Sequence, residues 1–138
     1  MKAYRDRGRT LYGITEPEIL LPESAHAAFI KGGHYFGMKL VFVDSTADWR
    51  ADVSDMKKKL TRNTVMVVAS APTFPHGVID PVEEMAAALG DHPAGFHVDA
   101  CLGGFILPWV EQAGQLQRQW SFAVPRVSEC RLFSTQDF

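Results

Sequence analysis

Asp99 stands at the end of an apolar run, in the stretch HVDACLGGF over residues 97–105, and is followed by a thiol and two glycines. In open α/β sheets ligands gather beyond the carboxyl ends of the strands, so a carboxylate there faces the place where a ligand would sit. His26, Ser70, His76 and Cys101 belong to segments that would reach the same edge. Their types leave several chemistries open. His97 and Asp99 share one strand face and could hold a metal, but no third ligand stands at close spacing and there is no Cys-x-x-Cys pair. Gly103-Gly104 lacks the third glycine of a dinucleotide turn. Cys101 could act as a nucleophile with a histidine base. Asp99 could instead cap a nearby helix or loop. Pyridoxal phosphate uses more of the set than any of these. Its ring nitrogen needs an acidic partner to stay protonated, and its ring needs a flat group to lie against. A strand-end Asp and a His at a neighbouring helix start provide both.

Positioning such a group requires strands that end together. The apolar runs EILL (18–21), KLVFV (39–43), TVMVVAS (64–70) and GFHVDA (95–100) predict four strands. The unbroken run at 64–70 fits a strand covered on both faces. Between them lie helical patterns. Residues 24–33 predict a helix with Ser24 as N-cap and Gly32-Gly33 as its stop. Residues 49–60 predict a second, with Val53, Met56 and Leu60 on one face and Asp55 and Lys59 paired on another. Residues 80–90 predict a third: Asp80 caps, Pro81 opens, Glu83 completes a capping box and Gly90 ends it. Val82, Met85, Ala86 and Leu89 form its buried stripe. APTFPHG (71–77) predicts a loop. Strands alternating with helices imply an α/β fold, a mostly parallel sheet with flanking helices. After Gly114 no clean period remains.

Composition bounds the rest. The chain has 138 residues, 46% of them hydrophobic, which suits one globular domain. A net charge of −2 and the single basic triplet Lys57-Lys58-Lys59 give no footing for nucleic acid. Two cysteines make no disulfide framework. The opening MKAYRDRGRTLYG lacks the apolar core of a signal peptide, and no apolar run approaches the roughly 20 residues of a membrane span. A cytosolic location is expected for the chain as written.

Three stretches carry a resemblance. PESAHAAFIKGGHYFGMKL, SAPTFPHGVIDPVEE and HVDACLGGF together resemble the sphingosine-1-phosphate lyase family, and the opening KAYRDRGRTLYGITEPEILLP resembles the segment before that family's histidine helix. The likeness covers residues 2–114 and, more loosely, 120–125. It implies part of an aminotransferase-like (fold type I) large domain of the group II decarboxylase superfamily, with residues 1–125 as a partial large domain and 126–138 as a divergent tail. It implies pyridoxal 5'-phosphate as cofactor. Asp99 would pair with the pyridine nitrogen, His26 would stack on the ring, Ser70 would touch the 3'-hydroxyl side, and Cys101 would line the site. Tyr35 and His76 match family positions as substrate or site-lining residues. The implied reaction cleaves a phosphorylated sphingoid base to a fatty aldehyde and phosphoethanolamine. An amino acid decarboxylase of the glutamate or aromatic type is the alternative within the class. A homodimer, and for eukaryotic relatives the cytosolic face of the endoplasmic reticulum, are further implications.

One requirement is not met. This chemistry needs a lysine for the Schiff base, and in the family that lysine follows the HVDA strand. Here Lys59 is the last lysine. The expectation is therefore a fragment without activity of its own, at most a non-catalytic binder. Cutting a parallel sheet from its remaining strands leaves open edges, so poor solubility is expected as well.

Overall fold

In a computed structural model of the chain, residues 1–115 and the backbone of residues 129–131 are described. Helix α1 (Lys2–Tyr12) leads into strand β1 (Glu18–Pro22), helix α2 (Ala27–Phe36), strand β2 (Lys39–Val43) and helix α3 (Val53–Lys59). Strand β3 (Thr64–Ser70), helix α4 (Val82–Leu89), strand β4 (Gly95–Asp99), helix α5 (Gly103–Gln112) and strand β5 (Glu129–Arg131) follow. The strands form one sheet in the order β2-β1-β3-β4-β5, and every pairing is parallel.

Each face of the sheet has its own core. Ile19, Leu21, Met66 and Val68 pack with Ile14, Ala25 and Met38, and Tyr4, Phe29 and Phe36 close over them from α1 and α2. On the other face Leu20, Val67, Ala69, Phe96 and Val98 meet Met56 of α3, Val82, Met85, Ala86 and Leu89 of α4, and Leu107 of α5. Each large side chain buried this way contributes about 1.5–3 kcal/mol relative to exposure. Strand β3 is buried along its whole length, as its unbroken apolar run requires.

The predicted strands stand within one residue of their expected ends. The helix boundaries differ. Ser24 is not the cap of α2; His26 is, its Nδ1 accepting the Ala28 N–H at 3.2 Å. Gly32-Gly33 does not stop α2 either. A Cβ on Gly33 would stand 2.5 Å from Leu40 Cδ2, so this glycine serves close packing of the helix on β2. The helix ends instead at Gly37, at φ 60°. Asp52 caps α3 with bonds to the Ser54 and Asp55 amides, and the expected Asp55–Lys59 pair closes at 2.6 Å. Asp80 does not cap α4: its N-cap is Pro81, with no side-chain bond.

Helices α1 and α5 and strand β5 had no signal in the sequence reading. Helix α1 carries charge at five of its eleven residues and is mostly exposed. Helix α5 begins without a capping side chain, where a Cβ on Gly103 would come within 1.9 Å of the Ala71 carbonyl oxygen. That close approach explains the glycine better than a ligand turn does. Strand β5 lies in the stretch read as a divergent tail; Trp120, Phe122 and Val124, on which the looser resemblance rests, lie outside the described residues. No described helix is long and apolar enough to cross a membrane.

Candidate functional site

The order of the strands locates a crevice. From β1 the chain moves outward to β2, then returns past β1 to β3 and continues to β4. Strands β1 and β3 are therefore neighbours whose following helices lie on opposite faces, α2 on one and α4 on the other. Such a reversal opens a gap at the carboxyl ends, where α/β proteins bind ligands.

The candidate residues come from the segments around this gap. The register of β3 and β4 sets Ser70 directly beside Asp99, and the Ala71 N–H continues the ladder to the Asp99 carbonyl at 2.8 Å. Alternation along the strands puts Ser70, His97 and Asp99 on the face covered by α2. His97 is buried against the Phe29 ring, 5.6 Å between centroids. Ser70 is 2% exposed. Asp99 is half-buried, and its Oδ1 accepts the Cys101 N–H at 3.1 Å. That bond is the local loop cap the sequence left open. Among the described residues its Oδ2 has no partner. Cys101 is exposed at the same turn.

His26 enters from β1. Its cap bond uses Nδ1 as acceptor, which puts the hydrogen of the neutral ring on Nε2. The imidazole is exposed and meets Phe74, from the loop after β3, edge-on at 5.1 Å and 86°. Two residues earlier, Ser24 is 4% exposed and, among the described residues, its hydroxyl has no hydrogen-bond partner. The sequence predicts Ser24 as a helix cap, a duty that His26 takes instead.

His76 lies in the same loop as Phe74 and stacks on Trp49, 4.6 Å between centroids and 21° between planes. Tyr35 is not brought into this group. It stands near the far end of α2, roughly 13 Å from His26 along the helix axis, exposed beside Lys31 and His34. Asp80 is buried with both oxygens engaged, Oδ1 by the Ala51 N–H at 3.0 Å and Oδ2 by the Ser70 N–H at 2.8 Å. Burial pushes its carboxyl above the ordinary value, against the opposing pull of those two amides and the Arg50 charge.

Among the described residues, no group of three or more His, Cys, Asp or Glu side chains is arranged for a metal ion. A cleft of about 600 Å³ opens at the opposite, amino ends of β3 and β4, between Tyr12, Lys57, Arg62 and His92. The C-terminal ends of α1 and α3 lie there, and the basic residues already occupy the sites where those helix ends would favour a cation.

Known proteins align with this arrangement. The family model described as aminotransferase class-V matches residues 15–103, which include His26, Ser70, Asp99 and Cys101. The chain is 52% identical over 128 residues to sphingosine-1-phosphate lyase 1 of Rattus norvegicus, covering 92% of this chain and 22% of that protein. It is 38% identical over 106 residues to a probable L-aspartate decarboxylase of Pyrococcus furiosus, covering 77% of this chain and 29% of that one. Among solved structures, the sphingosine-1-phosphate lyase of Burkholderia pseudomallei superposes with a TM-score of 0.84 at 36% identity, over 91% of this chain and 29% of that chain. The chain thus spans about a fifth to a third of the length of the relatives it matches.

Proposed function

The chain belongs to the aminotransferase class-V family, and from that premise we propose that it forms the ring-binding part of a pyridoxal-phosphate-dependent carbon–carbon lyase acting on phosphorylated sphingoid bases. The observation that carries the reading is the register pair Ser70–Asp99 at the strand ends, on the face of α2 whose first turn is capped by His26. The higher identity to a lyase than to a decarboxylase favours retro-aldol cleavage that releases an aldehyde over decarboxylation.

The residues fit the cofactor. Among the described residues Asp99 has one carboxylate oxygen without a partner, and His26 offers an exposed flat ring whose orientation is fixed by its cap bond. Ser24 holds a buried hydroxyl with no partner, a group that costs stability until something polar meets it. When bound, pyridoxal phosphate supplies an electron sink for the pair left by the broken carbon–carbon bond. Asp99 would keep a proton on the ring nitrogen and so keep that sink strong. His26 would cover one ring face and exclude water from it. Ser70 would orient the 3'-hydroxyl side, and Cys101 and His76 would line the rim.

The 138 residues hold no lysine beyond Lys59, which is tied to Asp44 and Asp55. The chain alone is therefore proposed to bind the cofactor reversibly and to release no aldehyde. A second copy as partner is proposed for full-length relatives, and the cytosolic face of the endoplasmic reticulum as location for the eukaryotic ones, with the cytosol proposed for this chain.

Titration of the chain with pyridoxal 5'-phosphate, followed by absorbance, tests the reading. Asp99→Ala and His26→Ala are each expected to weaken binding by about tenfold or more, the loss of one charge-assisted bond or one ring contact. Binding indifferent to both changes would overturn the assignment.

A further inference from the structure

Ser70 ends a strand, and a strand end is held only as well as the loop that follows it. Ten residues downstream Asp80 closes that loop. Its N–H donates to the Ser70 carbonyl at 3.0 Å and its Oδ2 accepts the Ser70 N–H at 2.8 Å, so one residue holds both backbone groups of Ser70. Its other oxygen reaches a different segment and accepts the Ala51 N–H at 3.0 Å. Beside it, Arg50 Nη1 donates to the Ile79 carbonyl at 2.6 Å, and Arg50 Nε lies 2.9 Å from Asp48 Oδ2.

The two segments joined in this way are also the two that meet in the Trp49–His76 stack. Trp49 is 58% exposed and sits at φ 64°, the one non-glycine residue in the left-handed region among those described. A bulky residue keeps such a backbone only where its surroundings over-determine it. The surroundings here are the Thr46–Arg50 turn bonds, the Ser45–Ala51 bridge and the Asp80 link.

Helix capping does not account for the acid, because α4 starts at Pro81 without a side-chain bond. A carboxylate 2% exposed is costly to bury and is kept at such a place only with its acceptor capacity used. Here both oxygens are used by backbone amides, and one of those amides belongs to a residue of the candidate site.

We infer that Asp80 is the positioning residue of the cofactor face: bridging the Ser70 and Ala51 amides, it sets the Ser70 hydroxyl beside Asp99 and the Trp49–His76 stack at the rim together. The inference rests on the reading of this edge as a pyridoxal-phosphate site. Asp80 touches neither cofactor nor substrate. It acts through Ser70 and through the 45–51 turn.

The test is a titration of pyridoxal 5'-phosphate into the wild-type chain, Asp80→Asn, Ser70→Ala and the double variant, well below each variant's melting temperature. Asparagine keeps the shape but turns an amide NH2 against one of the two backbone donors. The expected result is about tenfold weaker binding for D80N, with the double variant no weaker than the worse single one, as for residues acting as a unit. A merely structural role would lower the melting temperature and leave the affinity of the folded chain unchanged. That outcome overturns the inference while sparing the proposed function. A wild-type chain that binds no pyridoxal phosphate overturns both. Amide exchange of the wild type serves if D80N does not fold. Pyridoxal phosphate is expected to slow the Ser70 and Ala51 amides together, and slowing of neither refutes the link.

Discussion

At the scale of single residues, the side chains of the candidate site have local duties that set their orientation. His26 caps a helix and so presents its ring edge-on to Phe74. Asp99 caps the Cys101 turn and, among the described residues, keeps one oxygen without a partner. Ser24 is the exception, a buried hydroxyl without a partner. Removing such a group relieves a desolvation cost of about 1–3 kcal/mol, whereas removing a satisfied one incurs it. Ser24→Ala is therefore expected to leave the ligand-free chain as stable as the wild type or more so, and to shrink the gain in melting temperature caused by pyridoxal phosphate. Thermal melts with and without the cofactor check both halves. A clear loss of stability in the ligand-free variant would show that the hydroxyl is already satisfied.

At the scale of elements, strand β1 is anchored at its amino end by a buried carboxylate. Glu18 accepts from Lys39 Nζ at 2.8 Å and from the Thr61 hydroxyl, linking β1 to β2 and to the turn before β3. Burial alone would raise its pKa, but the bonds from Lys39 and Thr61 outweigh that and hold the carboxyl below its ordinary value of 4.5. A folded value below the unfolded one means that ionised Glu18 stabilises the fold above about pH 4.5, and that this contribution is lost as pH falls through the folded value. Glu18→Gln is expected to lower the melting temperature at pH 7 by roughly 5 °C. The gap between variant and wild type should close as the pH drops below 4.5. A gap that persists in acid would assign the effect to packing instead of charge.

At the scale of the whole molecule, two complete cores coexist with surfaces that a free-standing domain does not leave open. Strand β2 is an edge with Phe42 exposed, and Leu102, Phe105, Ile106 and Trp109 expose apolar side chains along α5. Unpaired edges and apolar patches of this kind favour association. The isolated chain is expected to form oligomers or aggregates as its concentration rises, which sedimentation velocity measures directly. A monomer that melts sharply and independently of concentration would refute this. The share of its relatives that the chain spans is consistent with such surfaces being covered in a longer protein.

The order of α and β elements, the four strands read from apolar runs, the Asp55–Lys59 pair and the resemblance in SAHAAFIKGGHYFG and FPHGVIDP were all legible in the sequence, because each depends on neighbours a few positions away. The α/β class and the family follow from them. Helices α1 and α5 were not legible, since a charged exposed helix and one that begins at an uncapped glycine carry little local signal. Duties that depend on distant partners were also hidden. Asp80 read as a cap because Asp-Pro opens helices, yet its oxygens find the Ala51 and Ser70 amides only once β3 and the 45–51 turn lie side by side. Ser24 also reads as a cap, a duty that His26 takes two residues later. Local patterns thus determined which elements form and what family they belong to. Only the parallel sheet, by setting β3 beside β4 and turning α2 to the face of Asp99, decided which of the candidate residues lie at the same strand ends.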